Sequence, residues 1–199
     1  GYQRYIKDRG LKFRRPLVLV GADTRFMSNE LADVVCDTLT AKGIIVRRAQ
    51  NPLPTPVAEW AVLKEGAVGA VVITASEADY LQNGLKWISF YGGIANNEVV
   101  AEIEQKVVNI PASREVIEYG HKNSAVAIQN FRDEYLQHLM GLINVKAIKK
   151  AKLKVGIDPI FGTADGYFRK FLTLCGGVEI FGINEGRDVL FGGKVPNAG

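Results

Sequence analysis

The run Ala67-Val68-Gly69-Ala70-Val71-Val72-Ile73-Thr74 constrains this chain more than any other segment. It is almost wholly apolar, rich in β-branched side chains and without the alternation of a half-exposed strand, so it predicts a strand covered on both faces, as in a sheet layered by helices. A similar run, Pro16-Leu17-Val18-Leu19-Val20, ends at Gly21 and predicts a second buried strand. Between the two, Leu31, Val34, Val35 and Leu39 recur at helical spacing from Ser28 or Asn29, and Gly43 is the stop signal. Ile44 to Val46 predicts another strand. The prolines of Asn51-Pro52-Leu53-Pro54-Thr55-Pro56 predict a rigid connection, after which Val57, Trp60 and Ala61 open a short helix. Strands that alternate with helices predict an α/β fold.

Downstream, Leu85 to Phe90 predicts an outer strand, Gly92-Gly93 a turn, and Asn96 or Asn97 the cap of a helix bearing Val99, Val100, Ile103 and Val107, with Glu102 and Lys106 paired on its surface. Pro111 to Lys122 reads as a linker, and Tyr2 to Arg15 as the tail of a helix followed by a basic turn. A second unit then opens with a helix carrying Phe131, Tyr135, Leu139 and Leu142 and a basic turn from Lys146. A strand over Leu153–Asp158, a Gly162-bearing loop, a helix over Asp165–Leu174 and a strand over Val178–Ile183 form a βαβ unit. The residues from Gly192 onward are turn material. The expected architecture is a three-layer α/β/α domain with a mixed sheet over residues 1–115, followed by an incomplete domain of similar architecture over 120–199.

Composition narrows the function classes. With 199 residues, 47% hydrophobic and 23% charged, the chain can bury a core. Its net charge of +4 comes from 25 basic and 21 acidic residues dispersed along the chain, which suits an anionic small molecule; no basic stripe interleaved with aromatics argues for nucleic acid. Cys36 and Cys175 lie far apart without CxxC spacing, so neither a disulfide framework nor a thiolate zinc site is expected from this chain, and Cys36 reads as a small buried apolar side chain of its helix. No long apolar run and no charged-then-apolar leader occurs, so a cytoplasmic protein without membrane contact is expected.

The densest chemistry lies where the buried strand ends. In open α/β sheets, ligands bind beyond the carboxyl ends of strands, and Ser76 sits there behind Thr74-Ala75. A serine that carries a phosphoryl group needs exposure, small neighbours and nearby cations; Ala75 and Gly84 supply room, Asn83 flanks it, and Lys86 supplies charge and a proton-transfer group. The same residues also have the spacing of a helix capping box, as Thr74 to Glu77 or Ser76 to Asp79. Asp23 and Arg25, after the first strand, either brace the serine loop, touch a phosphate, or form an ordinary ion pair. The segment from Phe161 to Gly166 matches no phosphate-loop pattern and reads as a turn with scaffold value. His121 and His138 have no metal-site partners in sequence.

Gly21-Ala22-Asp23-Thr24-Arg25, Pro54-Thr55-Pro56, Ile73-Thr74-Ala75-Ser76 with Asn83-Gly84-Leu85-Lys86, and Asp158-Pro159-Ile160-Phe161-Gly162 together resemble, in order and spacing, the alpha-D-phosphohexomutase family, specifically its phosphoglucomutase and phosphomannomutase members. The resemblance implies that Ser76 carries phosphate and exchanges it with a hexose phosphate through a hexose bisphosphate, that Lys86 is an acid/base residue, and that Mg²⁺ binds the serine phosphate. It covers a first domain and most of a second from an enzyme of four domains. The family's Asp-Gly-Asp-type metal loop, its sugar-selecting loop and its C-terminal phosphate-binding domain have no counterpart here, so this chain alone is expected not to turn over substrate. The missing C-terminal domains are its expected partners. Where the family has His-Asn-Pro after the serine, this chain has Glu77-Ala78-Asp79, which adds negative charge beside a phosphate and raises the alternative of an impaired, sugar-phosphate-binding relative. A plain nucleotide-binding α/β domain is the weaker rival.

Overall fold

In the computed structural model, which describes residues 16–108 and 126–196, the first buried run forms β1 (Leu17–Ala22), and the second forms β3 (Gly69–Ile73). With β2 (Ile45–Ala49), β4 (Leu85–Ser89) and β5 (Val126–Gln129) they build a five-stranded sheet in the order β4-β3-β1-β2-β5. Every pairing is parallel except β3 with β4, so the sheet is mixed. Every residue of β3 is buried, as its uniformly apolar sequence requires. The segments over Tyr2–Arg15 and Pro111–Lys122, together with His121, lie outside the described residues.

The strands alternate their side chains between two cores. Val18, Val20, Val46, Val71 and Ile73 pack on one face with Ala32 and Cys36 of helix α1 (Ser28–Ala41). Leu19, Ala70 and Val72 pack on the other with Val57, Ala58, Ala61 and Val62 of helix α2 (Thr55–Glu65). That is the three-layer arrangement. Helix α1 ends at the predicted stop, where Gly43 takes a φ of 73°. Helix α2 starts earlier than expected: Thr55 is already helical, because Pro56 falls in the first turn, where a missing N–H costs nothing. At the start of β3, a Cβ on Gly69 would run into the ring of Trp87 and the carbonyl of Ile88, so the absent side chain lets β4 lie against β3.

Helix α3 (Asn97–Val108) begins where Asn96 accepts from the Val99 N–H at 3.0 Å. Strand β5 has no counterpart among the expected elements; four residues long and half-exposed at the sheet edge, it carries no strong strand pattern. It hands the chain to helix α4 (Phe131–Leu142), whose Phe131 and Leu136 enter the α2 core. The expected basic turn is instead a short helix, α5 (Val145–Ala151). Asn144 caps it by accepting from the Ala147 N–H at 3.0 Å, and Lys149 and Lys150 fall in its last turn, where the helix dipole favours positive charge. The βαβ unit then follows as read: β6 (Lys154–Ile157), α6 (Tyr167–Cys175) and β7 (Glu179–Gly182), with β6 and β7 parallel. Tyr167, Phe171 and Cys175 join the same core as α2 and α4. No helix among the described residues is long and apolar enough to cross a membrane.

Candidate functional site

Beyond Ile73 the chain leaves the sheet in a series of turns, and no helix follows, so neither capping-box reading forms. Ser76 is exposed and holds a φ of 56°, in the left-handed region that costs a non-glycine residue roughly 1 kcal/mol. Its N–H donates to Thr74 Oγ1 at 3.0 Å, and turns close behind it as Ala78 N–H donates to the Ala75 carbonyl and Gln82 N–H to the Asp79 carbonyl, both at 3.0 Å. Thr74 N–H donates to the Gly84 carbonyl at 2.9 Å, tying the loop's two ends, and a Cβ on Gly84 would sit 3.0 Å from the Thr74 carbonyl oxygen. The room expected at Gly84 is therefore used by backbone.

The loop is held from within by Arg25, a fully buried arginine. Its Nε donates to Asp23 Oδ2 at 2.9 Å, one terminal nitrogen donates to the carbonyls of Asp79 and Gln82 at 2.6 and 3.1 Å, and the other to those of Ser76 and Ala78 at 2.7 and 2.8 Å. A guanidinium has five N–H donors in a rigid fork, and here each has an acceptor. Asp23 Oδ1 in turn accepts from Arg25 N–H at 3.0 Å and from the Ser28 hydroxyl at 2.6 Å, while Asn83 Nδ2 donates to the Phe26 carbonyl at 2.8 Å. Asp23 and Arg25 are a buried ion pair rather than a surface one, and both also line the cavity onto which Ser76 opens. They brace the serine loop.

Ser76 opens onto a cavity of about 480 Å³, whose near wall also carries Thr55, Thr74, Glu77 and Lys86. Lys86 lies on β4 opposite Val72, and its Nζ sits 3.4 Å from Thr55 Oγ1 at the start of α2. The far wall is the loop between β6 and α6, from Asp158 to Ala164, together with Phe191 and Pro196. Sequence reasoning gives that loop only scaffold value; the signal that it faces Ser76 lies in the Asp158 to Gly162 segment. Ile160 and Phe161 both take left-handed φ values, 50° and 55°, and Ile160 N–H donates to Asp158 Oδ1 at 2.9 Å, so the loop is folded by its own aspartate.

A magnesium site does not assemble from these residues. Among the described residues there is no group of three or more His, Cys, Asp or Glu side chains able to hold a metal. Asp23 is engaged by Arg25 and Ser28, and Asp79 Oδ1 accepts from the Leu81 N–H at 2.9 Å. His138 lies against Trp60, with 5.6 Å between ring centroids.

The family model for phosphoglucomutase/phosphomannomutase, alpha/beta/alpha domain I, matches residues 3–114, and that for alpha/beta/alpha domain II matches residues 133–199. A phosphoglucosamine mutase of Francisella philomiragia is 30% identical over 159 residues, covering 78% of this chain and 34% of the relative. A phosphoglucomutase of Staphylococcus haemolyticus is 29% identical over 171 residues, covering 82% of this chain and 30% of the relative. The chain thus spans about a third of the length of these curated relatives. A crystal structure of a Thermus thermophilus protein assigned as a phosphomannomutase superposes with a TM-score of 0.79 at 27% identity, covering 98% of this chain and 42% of that one. The open form of a Paramecium phosphoglucomutase, parafusin, shares the fold at a TM-score of 0.75 and 16% identity, covering 100% of this chain and 41% of that one. With matches to both domains and a serine loop at the carboxyl end of β3, this chain belongs to the alpha-D-phosphohexomutase family.

Proposed function

We propose that this chain is the phosphoryl-carrying part of a mutase that interconverts hexose 1-phosphate and hexose 6-phosphate, with Ser76 as the carrier. The observation that carries the reading is the contrast at Ser76: its side chain is exposed to the cavity while its backbone carbonyl is fixed by a buried arginine. A carrier needs both properties, because catalysis of phosphoryl transfer rests on positioning and charge neutralisation. In the forward step the bond between phosphorus and the Ser76 oxygen breaks as a substrate hydroxyl bonds to phosphorus. The hydroxyl proton is passed by way of Lys86 to the departing Ser76 oxygen, and the serine so formed is rephosphorylated by the bisphosphate. Lys86, on the same cavity wall, supplies positive charge to the transferring group and serves as the acid/base residue. Asp23, Arg25, Asn83 and Gly84 act on the loop. Of this chain, the phosphate on Ser76 would hold Mg²⁺, whose other ligands are expected outside these residues, and the ion would supply charge neutralisation. We assign the serine-loop domain to residues 1–115 and the second domain to 120–199; substrate selection belongs to the remaining length that the relatives have.

The full-length protein incubated with glucose 1,6-bisphosphate gains one phosphate by intact mass, and its Ser76→Ala variant gains none; no gain in the wild type, or uptake that persists in Ser76→Ala, sinks the assignment. A second reading is a sugar-phosphate-binding relative without turnover, favoured by the exposed Glu77, whose negative charge lines the same cavity. Sugar-phosphate binding by the full-length protein without turnover in a coupled assay selects that reading.

A further inference from the structure

The brace on the serine loop is itself held from the second unit. After β7 the chain returns toward the first sheet, and the exposed Arg187 donates from Nε to the Thr24 carbonyl at 3.1 Å and from a terminal nitrogen to the Arg25 carbonyl at 3.0 Å. These carbonyls belong to the turn from which the Arg25 side chain departs. Four residues later Phe191, buried to 2% exposure, lays its ring 5.4 Å from the Arg25 guanidinium carbon. The edge of that guanidinium is occupied by its five acceptors, so Phe191 keeps water from the remaining face and strengthens every bond the edge makes.

Phe191 is not there by casual packing. It holds a left-handed φ of 51° in a turn knotted by Asp188, whose two carboxylate oxygens accept from the Leu190 and Gly192 N–H groups at 2.9 and 3.0 Å. Beside it, a Cβ on Gly192 would stand 3.1 Å from the Phe161 ring, so the same turn lies against the loop between β6 and α6, and Phe191 itself lines the cavity. The chain of contacts runs from Asp188 through Phe191 and Arg187 to Arg25, and from Arg25 to the carbonyls of Ser76 and Ala78.

We propose that Arg187 and Phe191 are positioning residues for Ser76, forming a latch through which docking of the second unit sets the geometry of the serine loop. The latch is local: Arg187 is exposed, and its loss removes two hydrogen bonds without opening the core. Its effect on phosphoryl uptake rests on Ser76 being the carrier; its effect on the loop does not.

The test is amide hydrogen exchange on the full-length protein and its Arg187→Met and Phe191→Leu variants, with phosphoryl uptake from glucose 1,6-bisphosphate measured alongside. Loop amides at Ala78 and Gln82 exchange roughly tenfold faster in Arg187→Met, the factor that loss of a hydrogen bond to a charged group produces, and faster than wild type in Phe191→Leu, which uncovers the guanidinium face, while those of Val20 and Val71 are unchanged. The rate of uptake at saturating donor falls with the KM for donor unaltered, and Arg187→Lys recovers part of both effects. Loop amides that exchange as in wild type overturn the latch, as does equal acceleration in β1 and β3, which marks a general loss of stability. If wild type takes up no phosphate, the carrier reading fails, and the exchange measurements alone decide the latch.

Discussion

Arg25 illustrates why a buried charge is tolerated only when every donor is answered. Its positive charge is offset by Asp23, and the four loop carbonyls complete the fork, so the strained φ of Ser76 is held by charge-assisted hydrogen bonds. Removing the carboxylate leaves the guanidinium buried without its counter-charge. Asp23→Ala is therefore expected to cost about 3 kcal/mol by urea denaturation, more than a surface ion pair contributes. An effect below about 1 kcal/mol would mean that the pair behaves as an exposed one. That Asp23 and Arg25 matter is legible from their place after a buried strand. That Arg25 reaches into the serine loop is not, because its acceptors there stand more than fifty residues away at backbone carbonyls with no side-chain signature.

Among the elements, α1 is legible in its start, its glycine stop and its buried cysteine, but its packed face runs through Ala32 and Cys36 with Val35 and Leu39 beside them, while Leu31 of the expected stripe is exposed. Burial pushes the Cys36 thiol up from an ordinary 9.0 to about 11, an effect that Arg48 partly opposes. The unfolded thiol releases its proton near 9.0, and the folded one holds it to about 11, so stability from this group is intact below pH 9.0 and declines as pH rises toward 11. Chemical denaturation across that interval is expected to show a steeper alkaline loss in wild type than in Cys36→Ala; parallel curves refute it. Strand β5 and helix α5 are the least legible. The first is a short edge strand whose pairing with β2 only the sheet supplies, and the second is a lysine-rich segment whose helicity depends on the Asn144 cap.

At the scale of the whole molecule, the two units share one core. Phe131, Leu136, Tyr167, Phe171 and Cys175 cluster with residues of α2 and the first sheet, and the Tyr167 hydroxyl donates to the Pro52 carbonyl at 3.0 Å. Burial raises the Tyr167 hydroxyl's pKa, as expected for a phenol wedged in an interface. Separate melting of the units would expose this surface, so they are expected to unfold together. Phe171→Ala should lower stability by about 3 kcal/mol and leave a single transition, observed alike by tryptophan fluorescence and by amide exchange in β6 and β7. Two transitions in wild type would contradict the shared core.

By itself the sequence determined the layered α/β plan, the interior strand that ends at a serine, and the βαβ unit that follows, because hydrophobic periodicity and helix stops act over a few residues and are written locally. Its motif segments also determined the family. Only the tertiary structure decided that Arg25 closes on the serine loop, that the Asp158 to Ala164 loop faces Ser76, and that Arg187 and Phe191 hold the brace. Those choices join distant backbone groups through hydrogen bonds and ring contacts, whose partners are fixed by how the sheet, helices and second unit stack.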